Sequence, residues 1–456
     1  MHARFVTTAL LIALLAVRPV QAAEHHSTQT ENLNLLIETA LTGNPELKAS
    51  ASRWEMFKSR VKQAGSWEDP MLMLKIQNGI VTDPLNFTRD SMTQKVIGIA
   101  QQIPYFGKTA LREEVALHEA EAQHFAHGER RLEITRMVKE AYYQIGSIDH
   151  ELYLLQKNID IMDTFITLAE TKYSVGQGAQ QDIFKAQLER SKMLDMKITL
   201  EQQRKSQAIA LNALLYRPAD TPVGEIPEFG IDPALPRSQD LVTLAEENRP
   251  ALKGLAAQVL KGRGSEALAR KESYPDFNVS FEYMQRQPAM GSDGSDMYSL
   301  GVTFNLPVRK ERRQAMVAEA NSEVAMATEE MNATRNTISS GIADLLSQME
   351  RRRQLVDLYK NGIIPQAEQA LESATIGYRV NKVDFLTLLD SRVNLYNFEH
   401  QYYDSIADFQ MKKAQLEALV GGSLSGADHG ARPTGEQMKT SSHGEHLRQD
   451  GAKPQP

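Results

Sequence analysis

The side chains able to bind metal ions or move protons are sparse in this chain, and few are arranged to do either. It has 11 His and no Cys among 456 residues, which removes thiolate metal sites, disulfides and Cys nucleophiles together. His118, His124 and His127 fall in one helical stretch, and the last two, three apart, share a face. His429, His443 and His446 lie near the C-terminus, the last pair as His-Gly-Glu-His. These spacings suit weak cation binding, but no His-Glu-x-x-His set occurs, so the solvated reading is favoured. Ser and His form no Gly-x-Ser-x-Gly arrangement. Arg351-Arg352-Arg353 reads as a solvated helix face. The chain therefore reads as a non-enzyme with no cofactor and no metal site.

One pattern does recur. Tyr173-Ser174-Val175-Gly176 followed by Asp182-Ile183-Phe184 returns as Tyr378-Arg379-Val380-Asn381 followed by Thr387-Leu388-Leu389. Asn44-Pro45-Glu46-Leu47 returns as Arg249-Pro250-Ala251-Leu252, and Pro70 and Pro104 have counterparts in Pro275 and Pro307. A period of about 200 residues is too long for a solenoid, so a whole structural unit is duplicated. Gly176 and Asn381 fall where a chain leaving a helix needs positive φ. Asp182 sits where the macrodipole of the following helix favours a carboxylate.

Long helices are needed to carry those turns. Ala141, Ile145, Ile148, Leu152, Leu155, Ile159, Met162, Ile166 and Ala169 step by threes and fours, and Leu388, Leu395, Tyr402, Phe409 and Leu416 recur every seven residues. Both are coiled-coil seams. The stretch from Leu111 to Tyr173 lacks Pro and contains only Gly128 and Gly146, enough for a rod of about 90 Å. Four segments alternate instead as strands: 70–76, 94–100, 276–283 and 298–304. Polar, turn-rich loops at 78–92 and 287–297 separate each pair. The expected fold is mainly α with a small β part. Its strands are long enough to cross a bilayer when tilted, and they escape open edges only by closing with other copies.

His2 and Arg4, the apolar run from Phe5 to Val17 and Val20-Gln21-Ala22 read as a secretory leader over residues 1–22. A first repeat spans 23–216, a Pro-rich linker 217–237, a second repeat 238–421 and a disordered tail 422–456. The net charge of −7, with signs interspersed, argues against a nucleic-acid partner.

The duplicated Tyr-x-x-Gly turns, the Pro closing each strand pair and the segment from Gly377 to Ser391 resemble the TolC-type outer-membrane factors. Asp69-Pro70-Met71-Leu72 and Gln102-Ile103-Pro104-Tyr105-Phe106-Gly107-Lys108 look most like the heavy-metal branch. The resemblance implies a homotrimer with a 12-stranded outer-membrane barrel above a long α-helical periplasmic tunnel. It also implies a periplasmic adaptor, an inner-membrane RND-type pump and contact with outer-membrane lipid. Without Cys the acyl anchor of some relatives is not expected. Asp182 and Tyr378 match an Asp–Tyr pair that closes the family's duct, and Asp390 matches a carboxylate of its constriction. The gating Arg falls at Val383, with Lys382 beside it as a substitute, and the second constriction Asp falls at Thr387. The runner-up readings are a duct for drugs or type I secreted proteins and a poreless periplasmic coiled-coil binding protein.

Overall fold

The structure, a computed structural model, describes residues 30–84 and 86–424. The expected leader, the expected tail beyond Leu424 and with it His429, His443 and His446 lie outside the described residues. Each half begins with a broken helix: α1 (Leu33–Gly43) and α2 (Pro45–Ala64) in the first, α5 (Ser238–Asn248) and α6 (Pro250–Lys271) in the second. Pro45 and Pro250 each open a helix, a place where the missing N–H costs nothing. Asn44 caps the first break by accepting from the Glu46 N–H at 2.8 Å. Arg249 offers no such cap and instead reaches Glu129 at 2.5 Å.

The strands form one antiparallel sheet in the order β1 (Met71–Gln77), β2 (Gln94–Ile103), β3 (Phe277–Arg286), β4 (Met297–Phe304). β2 and β3 run about three residues further than their alternation suggests, because each pairs with the other along its whole length. Register sorts the sheet into two faces. Leu72, Leu74, Ile76, Ile97, Ile99, Phe281, Tyr283, Tyr298, Leu300, Val302 and Phe304 share one, and all are exposed. Lys75, Gly98, Ala100, Ser280, Glu282, Ser299 and Thr303 share the other, where Lys75 pairs with Glu282 at 3.0 Å.

α3 (Lys108–Ser174) runs for 67 residues, about 100 Å at 1.5 Å per residue, and α4 (Gln180–Leu214) returns along it. In the second half α7 (Lys310–Leu358) continues through a π-turn (Tyr359–Ile363) into α8 (Ile364–Arg379), and α9 (Phe385–Val420) returns. Pro365 explains the π-turn. It lacks an N–H and its ring would strike the Asn361 carbonyl, so the helix widens by one residue there.

One core joins α3, α4, α8 and α9 through Leu155, Met162, Ala186, Ala374, Phe385 and Leu388. Leu155 is fully buried, and truncating such a side chain to Ala costs about 2–5 kcal/mol. The buried stripe of α3 takes in Leu154, Asn158, Phe165 and Lys172, while Leu152 and Ile166 stay half-buried. Two partners, α4 and α9, widen the stripe beyond a two-helix seam. Residues 217–237 have no regular structure but lie against α3, with Val223 and Ile226 buried. Gly146 marks the crossing, where a Cβ would stand 2.6 Å from Phe229 and 2.9 Å from Ile226. Among the described residues no helix is long and apolar enough to cross a membrane.

Candidate functional site: the paired helix tips

The two duplicated turns have the same backbone. Gly176 has φ 74° and Asn381 φ 60°. In each turn an N–H closes back five residues, Gln177 to Lys172 O and Lys382 to Gly377 O, both at 2.8 Å. This is the helix-ending geometry that needs a left-handed residue. Asp384 then caps α9 by accepting from the Thr387 N–H at 2.8 Å. α4 has no side-chain cap, and Asp182 stands in its first turn.

A lysine joins the tips. Lys172, the last buried residue of α3, is only 7% exposed. Its ammonium donates to the Tyr378 carbonyl, to the Arg379 carbonyl at 3.4 Å and to Asn381 Oδ1. It also lies 4.5 Å from the Tyr378 ring centroid, adding a cation–π term. The Tyr378 ring packs edge-on against Phe385 at 5.5 Å, and Phe385 against Phe165 at 6.5 Å. The Tyr378 hydroxyl is raised above its ordinary pKa, first by burial and then by the charge of Asp182.

Tyr378, Asn381 and, by its charge, Asp182 are thus brought together, with Gly176 in the facing turn. Among the described residues no hydrogen bond joins Asp182 to Tyr378, and the Tyr378 hydroxyl has no partner. Lys382 and Asp390 are exposed and form no ion pair among the described residues. Val383, at the position of the family's arginine, packs over Gly377, where a Cβ would lie 2.5 Å from Val383 Cγ2.

Sequence reasoning missed Lys172, although it follows Ala169 by three on the buried stripe and so carries a charge where a core residue belongs. It also missed Arg392. That guanidinium is buried between α9 and α3, donates from Nε to Asn158 Oδ1 at 2.7 Å, and stands 3.9 Å from Glu399. Burial lowers the Arg392 pKa and raises that of Glu399, each countered by the other's charge. Arg352, read from sequence as solvated, bridges α7 to α9 instead, 2.7 Å from Asp408 and 3.6 Å from Asp404.

The helical histidines are engaged one by one. His118 pairs with Glu121 at 2.8 Å, His124 lies over Trp54 at 4.4 Å, and His127 meets Ser50 at 2.7 Å. No group of three His, Asp or Glu able to hold a metal occurs among the described residues.

Comparison with known proteins accords with this architecture. Residues 36–215 and 241–422, the bulk of both halves, match the family described as outer membrane efflux protein. The cobalt-zinc-cadmium resistance protein CzcC of Cupriavidus metallidurans is 24% identical over 395 residues, spanning 85% of this chain and 90% of that one. The outer membrane protein VceC of Vibrio cholerae superposes with a TM-score of 0.73 at 18% identity, covering 86% of this chain and 96% of its own. CusC, whose crystal structures concern folding and transmembrane channel formation, superposes with a TM-score of 0.74 at 14% identity, covering 87% and 93%. The family consists of channels, not enzymes, and its place is the outer membrane of Gram-negative bacteria. With both of its repeats matched, this chain belongs to the outer membrane efflux protein family.

Proposed function

We propose that the protein is the exit duct of a tripartite efflux system, passively conducting metal cations outward. An inner-membrane RND-type pump and a periplasmic adaptor deliver them. The observation that carries this reading is the sheet: one apolar exposed face, one polar face and two edges unpaired among the described residues, set above helices of about 100 Å. Three copies pool 12 strands into a barrel whose apolar face meets outer-membrane lipid, and edges vanish only on closure. The resemblance to CzcC favours metal cations as cargo. The chain is organised as a leader (1–22), two repeats (23–216 and 238–421), a linker (217–237) and a tail (422–456).

The helix tips form the periplasmic gate, in which Asp182, Tyr378, Lys382 and Asp390 line or lock the constriction. Three copies of each carboxylate in a narrow pore attract cations and repel anions. The adaptor opens the gate by binding the open arrangement more tightly than the closed one. Planar-bilayer recordings of the detergent-purified protein test this. Cation-selective channels are expected, and Asp182→Ala and Asp390→Ala should each lower the selectivity. A protein that gives no channels, or channels indifferent to both substitutions, overturns the reading.

A further inference from the structure

The strands hold four methionines, Met71, Met73, Met284 and Met297, and register puts all four on the polar face of the sheet. Met71 stands opposite Ala100 and Met73 opposite Gly98. Met284 stands opposite Val96 on one side and opposite Met297 on the other. The apolar face takes its apolar side chains from Leu, Ile, Val, Phe and Tyr, and among the described residues it carries no methionine. Use of methionine as a flexible filler of apolar gaps would favour the opposite placement. On a face shared with Lys75, Ser280, Glu282, Ser299 and Thr303, what sets methionine apart is its sulfur.

Met284 and Met297 are the pair best placed to use it. Directly opposed residues of antiparallel strands have Cβ atoms about 4.5–5.5 Å apart, and three rotatable bonds let two thioethers turn their sulfurs to one point between them. Met297 is exposed and Met284 half-buried, so that point is open to solution. The charges nearby, Lys75, Arg286, Glu282 and Asp296, cancel. Lys75 and Glu282 are paired at 3.0 Å, and Asp296 accepts from the Arg286 N–H at 3.2 Å and from the Tyr283 hydroxyl. Coulomb attraction therefore adds little for any cation, and selection falls to the sulfurs. Met73 leans over Gly98, its ε-carbon 3.3 Å from where a Cβ at that glycine would lie, so a third thioether covers the same face.

We propose that Met284 and Met297 form a binding site for a soft monovalent cation, Cu(I) or Ag(I). Thioether sulfur is neutral and polarisable, and these closed-shell cations accept it with as few as two donors. Zn(II) and Co(II) are better served by imidazole and carboxylate, and no three such groups gather among the described residues. Two neutral donors hold an ion loosely enough to release it, as passage through a pore requires. The site goes beyond the duct reading and does not depend on it, since strand register alone places the two residues. In a conducting duct it would be a station on the polar wall for one class of cation.

Methyl NMR of the full chain in detergent, labelled at the methionine ε-carbons and titrated with Ag(I), tests the site. Ag(I) is the probe because it needs no reductant, and the absence of Cys leaves thioethers as the only sulfur ligands. The Met284 and Met297 methyls should shift together and saturate, while those of Met56 and Met326, exposed on α2 and α7, stay still. Excess Zn(II) should not reverse the shift. Met297→Leu, which nearly conserves volume, should abolish the saturable shift at Met284. Met284→Leu should do the same at Met297, which covers a failure of either variant to fold. Methyls of the pair that stay still, or that move no further than those of Met56 and Met326, overturn the site, the second result meaning adventitious thioether binding only. Reversal by Zn(II), or a shift at Met284 that survives Met297→Leu, overturns it as well. Bilayer currents separate this site from the duct. Channels without the Ag(I) shift leave the duct and remove the site, whereas the shift in a protein that forms no channels leaves the site and removes the duct.

Discussion

Replacing Lys172 with Met tests whether this side chain locks the two helix tips. Methionine keeps most of the buried stem and removes only the ammonium. The ammonium makes two short charge-assisted bonds, to the Tyr378 carbonyl and Asn381 Oδ1, and one long one to Arg379. Such bonds are worth about 1.5–3 kcal/mol each when truncation leaves an orphan. Here the loss is smaller. The Tyr378 carbonyl keeps the Asn381 N–H at 3.2 Å, and Asn381 is exposed enough to turn its amide to water. Relief from burying a charge offsets part of the remainder. The net effect is about 1.5–2 kcal/mol, or roughly 10- to 30-fold in the local opening equilibrium. Hydrogen exchange is the assay. Amides of the second tip, such as that of Lys382 bonded to Gly377 O, should exchange roughly 10- to 30-fold faster, while those of mid-α3 stay unchanged. In bilayers the same variant should open more often. Unaltered protection at the second tip would refute the lock, and a uniform loss along the bundle would mean that Lys172 merely supports the fold.

Three further outcomes follow from the same geometry. Gly176→Ala should cost about 1 kcal/mol of local tip stability, read by exchange of the Gln177 amide. It isolates the backbone term, because no atom lies within 4 Å of the added Cβ. Arg392→Met should lower thermal stability by about 3 kcal/mol, since it leaves Glu399 buried without its cation; an unchanged melting temperature would contradict this. Burial raises the pKa of Glu399, so the folded chain holds that proton more tightly than the unfolded one. Its penalty is present above the raised pKa and disappears as pH falls through it. Glu399→Gln should therefore raise the melting temperature at neutral pH and lose that advantage in acid, as paired thermal melts at the two pH values would reveal.

The long helices and the strand pairs were legible because their periods, 3.5 to 3.6 and 2, are written in apolar positions alone. Gly176 and Asn381 were legible as turn residues because left-handed backbone admits few side chains, and both have positive φ. Lys172 and Arg392 were not, because a charged residue on a seam looks like solvent until its acceptors, more than two hundred positions away in chain order, are in place. Arg352 misled for the converse reason. Three consecutive arginines suggest a wet face, yet helical geometry turns one of the three toward α9. The π-turn left only Pro365 as a trace, and a proline at that spot is equally compatible with a kink.

That π-turn sets the rotational phase of everything below it. One additional residue in a helix turns the downstream segment by about 100° around its axis. α7 above the turn faces α6, through Val324 against Gly262 and Glu323 against Lys261. α8 below it presents Ala374 and Tyr378 to the core shared with α9. Without the extra residue, the azimuth that suits α6 would point Tyr378 away from Phe385. α3 meets its neighbours without any such adjustment over 67 residues. The two repeats therefore share a ground plan but differ in torsional setting, and only the second has a place where tip orientation is uncoupled from the shaft above.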